Sequence, residues 1–506
     1  MSFFIGALEV MELKTTLRAL AIAVLCTAMA PVWAQNATSG QTQPVIPGLP
    51  APSTPNQTAA PGAQGVPIIQ PAPAQTAPVP SAACTYTIEQ ALEIAFKQNP
   101  DIKIAQDVIN RSAWVVAEQR ARFFPSFNTQ ASYTIQPPSL ANFPGATQAI
   151  TIQSAQMTVF SANILLPLDI SSKLRFATDI AEYQFQIQYL NLVTVSQRLI
   201  LDVKAAYYNL LRAQGQEDAR QSAVNDSAAR LKDTQARYAA GTVPKFDVTR
   251  AEVDLANLNQ QLIQAQNQVS LAQSTLNRVM GMDVNSPVQA AKVDIPISQD
   301  PIDMCKQVEF AYAQRPEVKV AKTEIALNKK NVKLQQTGLL PSLNINTGAT
   351  YNVETSALNS VNLNWQAMLV LSAPIWDGGV TRARVRQAQA DVKNAADTVD
   401  QVKLNVAVEV RRSALNVQEA AKRALTTAQA VALAEESLRL STVRYNAGIA
   451  VLVEVTDAQT ALTDARFNYV NAQYDYAIAL AELQRATSSQ PEICKVQLIN
   501  SKKVGS

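Results

Sequence analysis

The feature that most limits what this chain can become is an internal repeat. Gln98-Asn99-Pro100-Asp101 aligns with Gln314-Arg315-Pro316-Glu317, and Phe124-Pro125-Ser126-Phe127 aligns with Leu340-Pro341-Ser342-Leu343, both at an offset of 216 residues. Further on, Arg237-Tyr238-Ala239-Ala240-Gly241 matches Arg444-Tyr445-Asn446-Ala447-Gly448, and Leu276-Asn277-Arg278 matches Leu483-Gln484-Arg485, both at 207. The change of offset must be absorbed between Pro125 and Pro167 in the first copy and between Pro341 and Pro374 in the second, so each copy carries a loop there. A unit of roughly 200 residues is too long for a solenoid repeat and fits a duplicated half-domain.

Each copy has the same internal order. A helical stretch comes first (Thr87 to Phe123; Asp303 to Leu339), followed by a Pro-Ser-led segment of alternating character. Phe127, Thr129, Ala131, Tyr133 and Ile135 alternate with Asn128, Gln130, Ser132 and Thr134; Leu343, Ile345, Ala349 and Tyr351 alternate with Asn344, Asn346 and Thr350. One face is apolar and aromatic and the other polar but uncharged, the pattern of a strand between two solvents. About ten residues suffice for a tilted strand to cross a bilayer. A second, more poorly alternating strand is expected at Gln156 to Leu166 and at Leu363 to Ala373, giving hairpins at 125–167 and 341–374.

Beyond Pro167, the stretch from Leu174 to Tyr238 has no proline and only Gly215, and its counterpart from Thr381 to Tyr445 has neither glycine nor proline. Ala, Gln, Leu, Arg and Val dominate, as helix propensity favours. Each stretch predicts a rod of roughly 100 Å. Turns at Ala239 to Lys245 and at Asn446 to Val451 reverse the chain into a second helix ending near Met280 or Ala486, with apolar residues at coiled-coil spacing. Four strands cannot close a barrel alone, and an open sheet in lipid leaves unpaired edges, so closure requires several copies.

Composition narrows the chemistry. The chain has 506 residues, 43 Lys and Arg against 40 Asp and Glu, and no histidine. The small positive charge and the lack of basic runs argue against nucleic acid as a partner. Without imidazole there is no Ser/His/Asp or Cys/His nucleophile pair and no His-containing zinc site. No Gly-x4-Gly-Lys-Ser/Thr sequence is present, so no nucleotide site of that kind is expected. Neither an enzyme nor a cofactor is expected.

Lys14 and Arg18 before the apolar run Ala19 to Cys26, with Val32-Trp33-Ala34 after it, read as a signal peptide over 1–34. Residues 35–83, rich in Pro, Ala and Gln and free of charge, read as a disordered linker. The first repeat then spans 84–282, a linker 283–302, the second repeat 303–488 and a tail 489–506. Of the four cysteines, Cys84, Cys305 and Cys494 remain after export; one pair could form a disulfide, or all three stay free thiols.

With Pro374-Ile375-Trp376-Asp377-Gly378-Gly379 after the fourth strand and the paired turns around Arg237-Tyr238 and Arg444-Tyr445, the chain resembles the outer membrane efflux protein family from about Thr85 to Ser488. The resemblance implies a mixed fold of transmembrane β-strands and long coiled-coil α-helices. Three chains would form a twelve-stranded barrel in the outer membrane continuing into a periplasmic tunnel of twelve helices. The partners implied are two further copies of the chain, outer-membrane lipid, a periplasmic adaptor and an inner-membrane transporter. The turns become periplasmic tips, with Arg237, Tyr238, Gly241, Arg444 and Gly448 facing the adaptor. The family's entrance latch maps onto Asp247 and Tyr445, with Glu454 and Asp457 as acidic rings; Ala450 stands where the family's latch has arginine. Asp247 and Glu454 also suit the positive end of a helix. Asp377, Gly378 and Gly379 are expected to bend strand into helix, with serine capping in the first copy at Asp169-Ile170-Ser171-Ser172. The leading expectation is a passive exit duct. The alternative is a periplasmic coiled-coil scaffold or adaptor, which would have no need for strands apolar on one side.

Overall fold

Thr87 starts the first helix: its hydroxyl accepts the Gln90 N–H at 3.3 Å while its own N–H donates to the Gln90 side chain at 3.0 Å, a capping box. The computed structural model describes residues 84–137, 139–141, 150–153, 155–298, 300–354 and 362–490. The expected signal peptide and linker, most of the tail and Cys494 lie outside the described residues.

The helical stretch that opens each copy is two helices, not one. In the first copy α1 (Ile88–Gln98) is followed by α2 (Pro100–Ala121). In the second, α5 (Met304–Gln314) is followed by α6 (Pro316–Gln336). Proline has no N–H to donate backward and pushes the preceding residue into an extended conformation. Asn99 and Arg315 accordingly sit at φ −60°, ψ 128° and φ −60°, ψ 129°. The buried Arg315 side chain pairs with Glu317 and Glu409, and Arg485 reaches the same Glu409 at 3.0 Å. Burial alone would raise the Glu317 carboxyl, but Arg315 beside it holds it below its ordinary value.

Four strands form one antiparallel sheet in the order β2-β5-β7-β8: β2 (Ser126–Ile135), β5 (Gln156–Leu168), β7 (Ser342–Asn352) and β8 (Leu363–Ser372). Between β2 and β5 the short strands β3 (Ser139–Ala141) and β4 (Ile150–Gln153) pair with each other. The register of the first hairpin, Ser126 opposite Leu165, recurs in the second as Ser342 opposite Ser372, at the offsets of 216 and 207 read from sequence. The two hairpins join through β5 and β7, which leaves β2 and β8 as the outer strands.

From each hairpin the chain enters a helix of 67 residues, α3 (Lys173–Ala239) or α7 (Val380–Asn446), and returns through one of 36, α4 (Lys245–Met280) or α8 (Leu452–Thr487). The returning helices cover the distal part of their partners. Nearer the sheet α2 packs on α3, whereas α6 lies between α7 and α3. At the middle of the molecule β1 (Cys84–Tyr86) pairs in parallel with β6 (Val288–Ala290). The buried Tyr207 of α3 places its hydroxyl 3.0 Å from the Tyr86 carbonyl and 2.8 Å from that of Ala291, sharing one proton between them. Ile200, Val203, Leu210, Leu276 and Met280 bury around it. No described helix is long and apolar enough to cross a membrane. Cys305 is exposed and free.

Candidate functional site

Two regions hold the residues that the sequence singles out: the sheet with its strand-to-helix bend, and the opposite end of the helical hairpins. Residues directly opposite in an antiparallel pair share a face, so the registers assemble the sheet's two surfaces. Phe127 lies opposite Ile164, Ala131 opposite Phe160, Phe160 opposite Tyr351, Ile345 opposite Leu369 and Leu343 opposite Leu371. This apolar face is open: Phe127 is 66% exposed, Ile135 73%, Trp365 72% and Leu369 66%. The other face carries Asn128, Gln130, Asn163, Asn344, Asn346 and Gln366.

Where strand becomes helix, Asp377 accepts the Gly379 N–H at 3.0 Å and the Thr381 N–H at 2.7 Å. The Thr381 side chain and these N–H groups hold its carboxyl below the usual range. Gly378 and Gly379 take φ of 66° and 87°, the left-handed region that favours glycine. In the first copy the cap is Asp169, which accepts from the Leu174 and Arg175 N–H groups at 3.1 and 3.0 Å. The expected serine cap is not formed. Ser172 occupies the N-cap position with φ 58° and makes no side-chain cap hydrogen bond.

At the hairpin ends the two copies share one turn. Gly241 donates to the Tyr238 carbonyl and Thr242 to that of Arg237; Gly448 donates to Tyr445 and Ile449 to Arg444. Gly241 and Gly448 sit at φ 74° and 73° with open space around them, so their role is conformational. Asp247 and Glu454 occupy the first turns of α4 and α8, where a carboxylate meets the positive end of the helix. Glu454 also pairs with Arg444 of its own hairpin at 3.4 Å.

Arg237 breaks the symmetry. Its counterpart Arg444 stays within its hairpin, but Arg237 of α3 crosses to α7, donating to the Asn446 side chain at 2.8 Å while its guanidinium stands 5.1 Å from the Tyr445 ring centre. Asp233 holds the same guanidinium from behind at 2.8 Å. Burial raises the Tyr445 phenol above its ordinary value; Asp247 and Asp233 push the same way and Arg237 opposes them. Asp247 is thus electrostatically coupled to Tyr445, but no hydrogen bond joins the pair among those described. Asp457 is exposed and lines a cleft of about 430 Å³ with Arg230, Arg250, Asp254 and Gln459. There burial pulls the Arg230 guanidinium below its ordinary value, opposed by Asp226 and Asp254. Sequence reasoning missed the cleft arginines and the crossing by Arg237, whose one signal was an arginine at matching positions of both turns. Among the described residues no group of His, Cys, Asp and Glu could hold a metal ion.

A family model described as outer membrane efflux protein matches residues 91–282 and 308–489. The chain belongs to the outer membrane efflux protein family. Among its relatives, outer membrane protein TolC of Vibrio cholerae is 23% identical over 382 residues, covering 74% of this chain and 85% of that protein. The fold is similar to that of a membrane protein from Pseudomonas aeruginosa, with a TM-score of 0.67 at 17% identity, covering 79% of this chain and 92% of the other. It is similar as well to the CmeC outer membrane channel of Campylobacter jejuni, with a TM-score of 0.65 at 17% identity, covering 79% and 85%. As a member of the outer membrane efflux protein family the protein is an efflux channel of the outer membrane with a large periplasmic portion. Its relatives are channels rather than enzymes.

Proposed function

We propose that three copies close into one passive exit duct: a twelve-stranded barrel in the outer membrane continuing into a periplasmic tunnel of helices, loaded through an adaptor by an inner-membrane transporter. The observation that carries this reading is the four-stranded sheet, which has one open apolar face and two outer strands, β2 and β8, without a neighbouring strand among the described residues. In lipid each unpaired backbone group costs several kcal/mol, so edges must meet edges. The polar face then lines water and the apolar face meets acyl chains.

The hairpin tips form the entrance in this reading. Asp247, Tyr445, Glu454 and Asp457 set its closure and charge, and three copies of each acid favour cations. The turns built on Arg237, Tyr238, Gly241, Arg444 and Gly448 face the adaptor, where exposed Phe246 and Ile449, at 67% and 72%, supply apolar contact. Asp377, Gly378 and Gly379 re-aim the chain from barrel to tunnel.

The test is the conductance of detergent-purified protein in a planar lipid bilayer, with the mass of the same preparation measured in parallel. Discrete cation-favouring steps from a trimer are expected. A monomer or dimer that never inserts overturns the proposal.

A further inference from the structure

The two copies are joined within the chain by a helical contact in which α6 of the second lies against α3 of the first. Lys330 of α6 pairs with Asp179 of α3 at 2.7 Å and stands 5.9 Å from the Phe176 ring centre, with Tyr183 close by. The repeat offsets convert this contact into its counterpart, α2 against α7. Lys330 becomes Trp114; Asp179, Phe176 and Tyr183 become Arg386, Ala383 and Ala390.

Among the described residues of one chain α2 packs on α3 and not on α7, so both halves of this second joint lack their counterpart there. Trp114 is 76% exposed, and Ile104 and Val108, about two to three turns earlier on α2, are 61% and 39% exposed. Arg386, Ala383 and Ala390 are all exposed, and Arg386 has no ion pair among those described. Beside Ile104 and Val108 runs a groove of about 850 Å³ between α2, α3 and α4. In the second copy α3 packs against both α6 and α8, the corresponding helices, and fixes its place with Arg212 on Asp475. The first copy has the groove without the helix.

We propose that α7 of a second copy of this chain fills that groove, with Trp114 stacked on the guanidinium of Arg386 of the second copy, in the space left by its Ala383 and Ala390. The inference rests on the closed ring proposed above and adds the rule by which its members recognise one another. The two joints are complementary in opposite senses. Inside the chain the short helix brings the cation and the long helix brings the acid and the rings. Between chains the short helix brings the ring, and the long helix brings the cation flanked by small residues. Exchanging partners sets Lys330 against Arg386, a like-charge contact, or crowds Trp114 onto Phe176 and Tyr183. Specificity of this kind comes from penalising the wrong partner as much as from favouring the right one. Association is therefore head to tail, the second half of one copy on the first half of the next, which is the arrangement that generates rings.

The experiment uses the full-length protein in detergent, with oligomer mass by light scattering and helix content by circular dichroism. Trp114→Lys places a lysine opposite Arg386 and is expected to weaken association by about tenfold or more while leaving each chain helical. Trp114→Lys combined with Arg386→Asp rebuilds the Lys330–Asp179 chemistry between copies and is expected to restore the oligomer. A Trp114→Lys protein that assembles as firmly as wild type overturns the pairing, and so does a double variant no better than the single one. A wild-type chain that stays monomeric removes the ring itself, and this rule with it.

Discussion

At the scale of single residues, the proposed entrance would be held differently from what the family's latch leads one to expect. Ala450 supplies no cation, yet a cation is present from the other side: Arg237 leaves its own hairpin to cover Tyr445 and to donate to Asn446. The equivalent Arg444 spends its charge on Glu454 within one hairpin. Of these two arginine contacts the first joins the two hairpins, as the Arg230–Gln459 hydrogen bond at 3.2 Å also does, whereas the second stays within one hairpin, so loss of the first weakens the tie between the hairpin ends and loss of the second does not. A cation–π contact near the surface contributes about 0.5–1 kcal/mol and a charged hydrogen bond about 1.5. Arg237→Ala should therefore shift the open-to-closed ratio of the entrance by roughly thirty- to sixtyfold toward open. The Asp247→Ala, Tyr445→Ala double variant should act in the same direction, and Arg444→Ala should leave the ratio near wild type. Single-channel conductance checks all three, and equal effects of Arg237→Ala and Arg444→Ala would end this assignment.

At the scale of elements, the sheet works because its two faces differ at every second residue. Ile345 lies between Leu166 and Leu369 on the apolar face, and its neighbour Asn346 points to the polar one. If the apolar face meets lipid, Ile345→Lys near the bilayer midplane costs about 2–4 kcal/mol per chain, whereas a lysine facing the lumen costs little. The expected outcome is loss of assembled protein from outer-membrane fractions for Ile345→Lys and near-normal levels for Asn346→Lys. The same periodicity explains what the sequence discloses. β2 and β7 alternate cleanly, but β5 and β8 place Val159, Leu165, Met368 and Val370 on the other face, which blurs the pattern and leaves the repeat as the better guide. The long helices were legible from the absence of proline and glycine, and the tip turns from Gly241 and Gly448. The break at Pro100 and Pro316 was not read, because proline at the first position of a helix looks like helix on both sides. Asp169 as the first-copy cap and Arg237 as a bridge between hairpins depend on where the chain returns in space, which local pattern does not contain.

At the scale of the whole molecule, the repeat says how the open edges should meet. Inside the chain β5 joins β7 with Ile164 opposite Thr347 and Ala162 opposite Ala349. The same offsets carry β5 onto β8 and β7 onto β2, so β8 of one copy should join β2 of the next with Leu371 opposite Ala131 and Leu369 opposite Tyr133. This register keeps the apolar face continuous across the seam, because all four residues lie on it. A slip of one residue would turn polar side chains toward lipid along the whole strand. Cysteines placed at Ala131 and Leu371, with Cys84, Cys305 and Cys494 changed to serine, should therefore cross-link neighbouring copies into denaturation-resistant dimers and trimers. The pair Ala131 with Val370, one residue out of register, should cross-link poorly. The reverse order would require a seam different from the one inside each chain, and the two halves of the sequence would then have no reason to keep the same hairpin register.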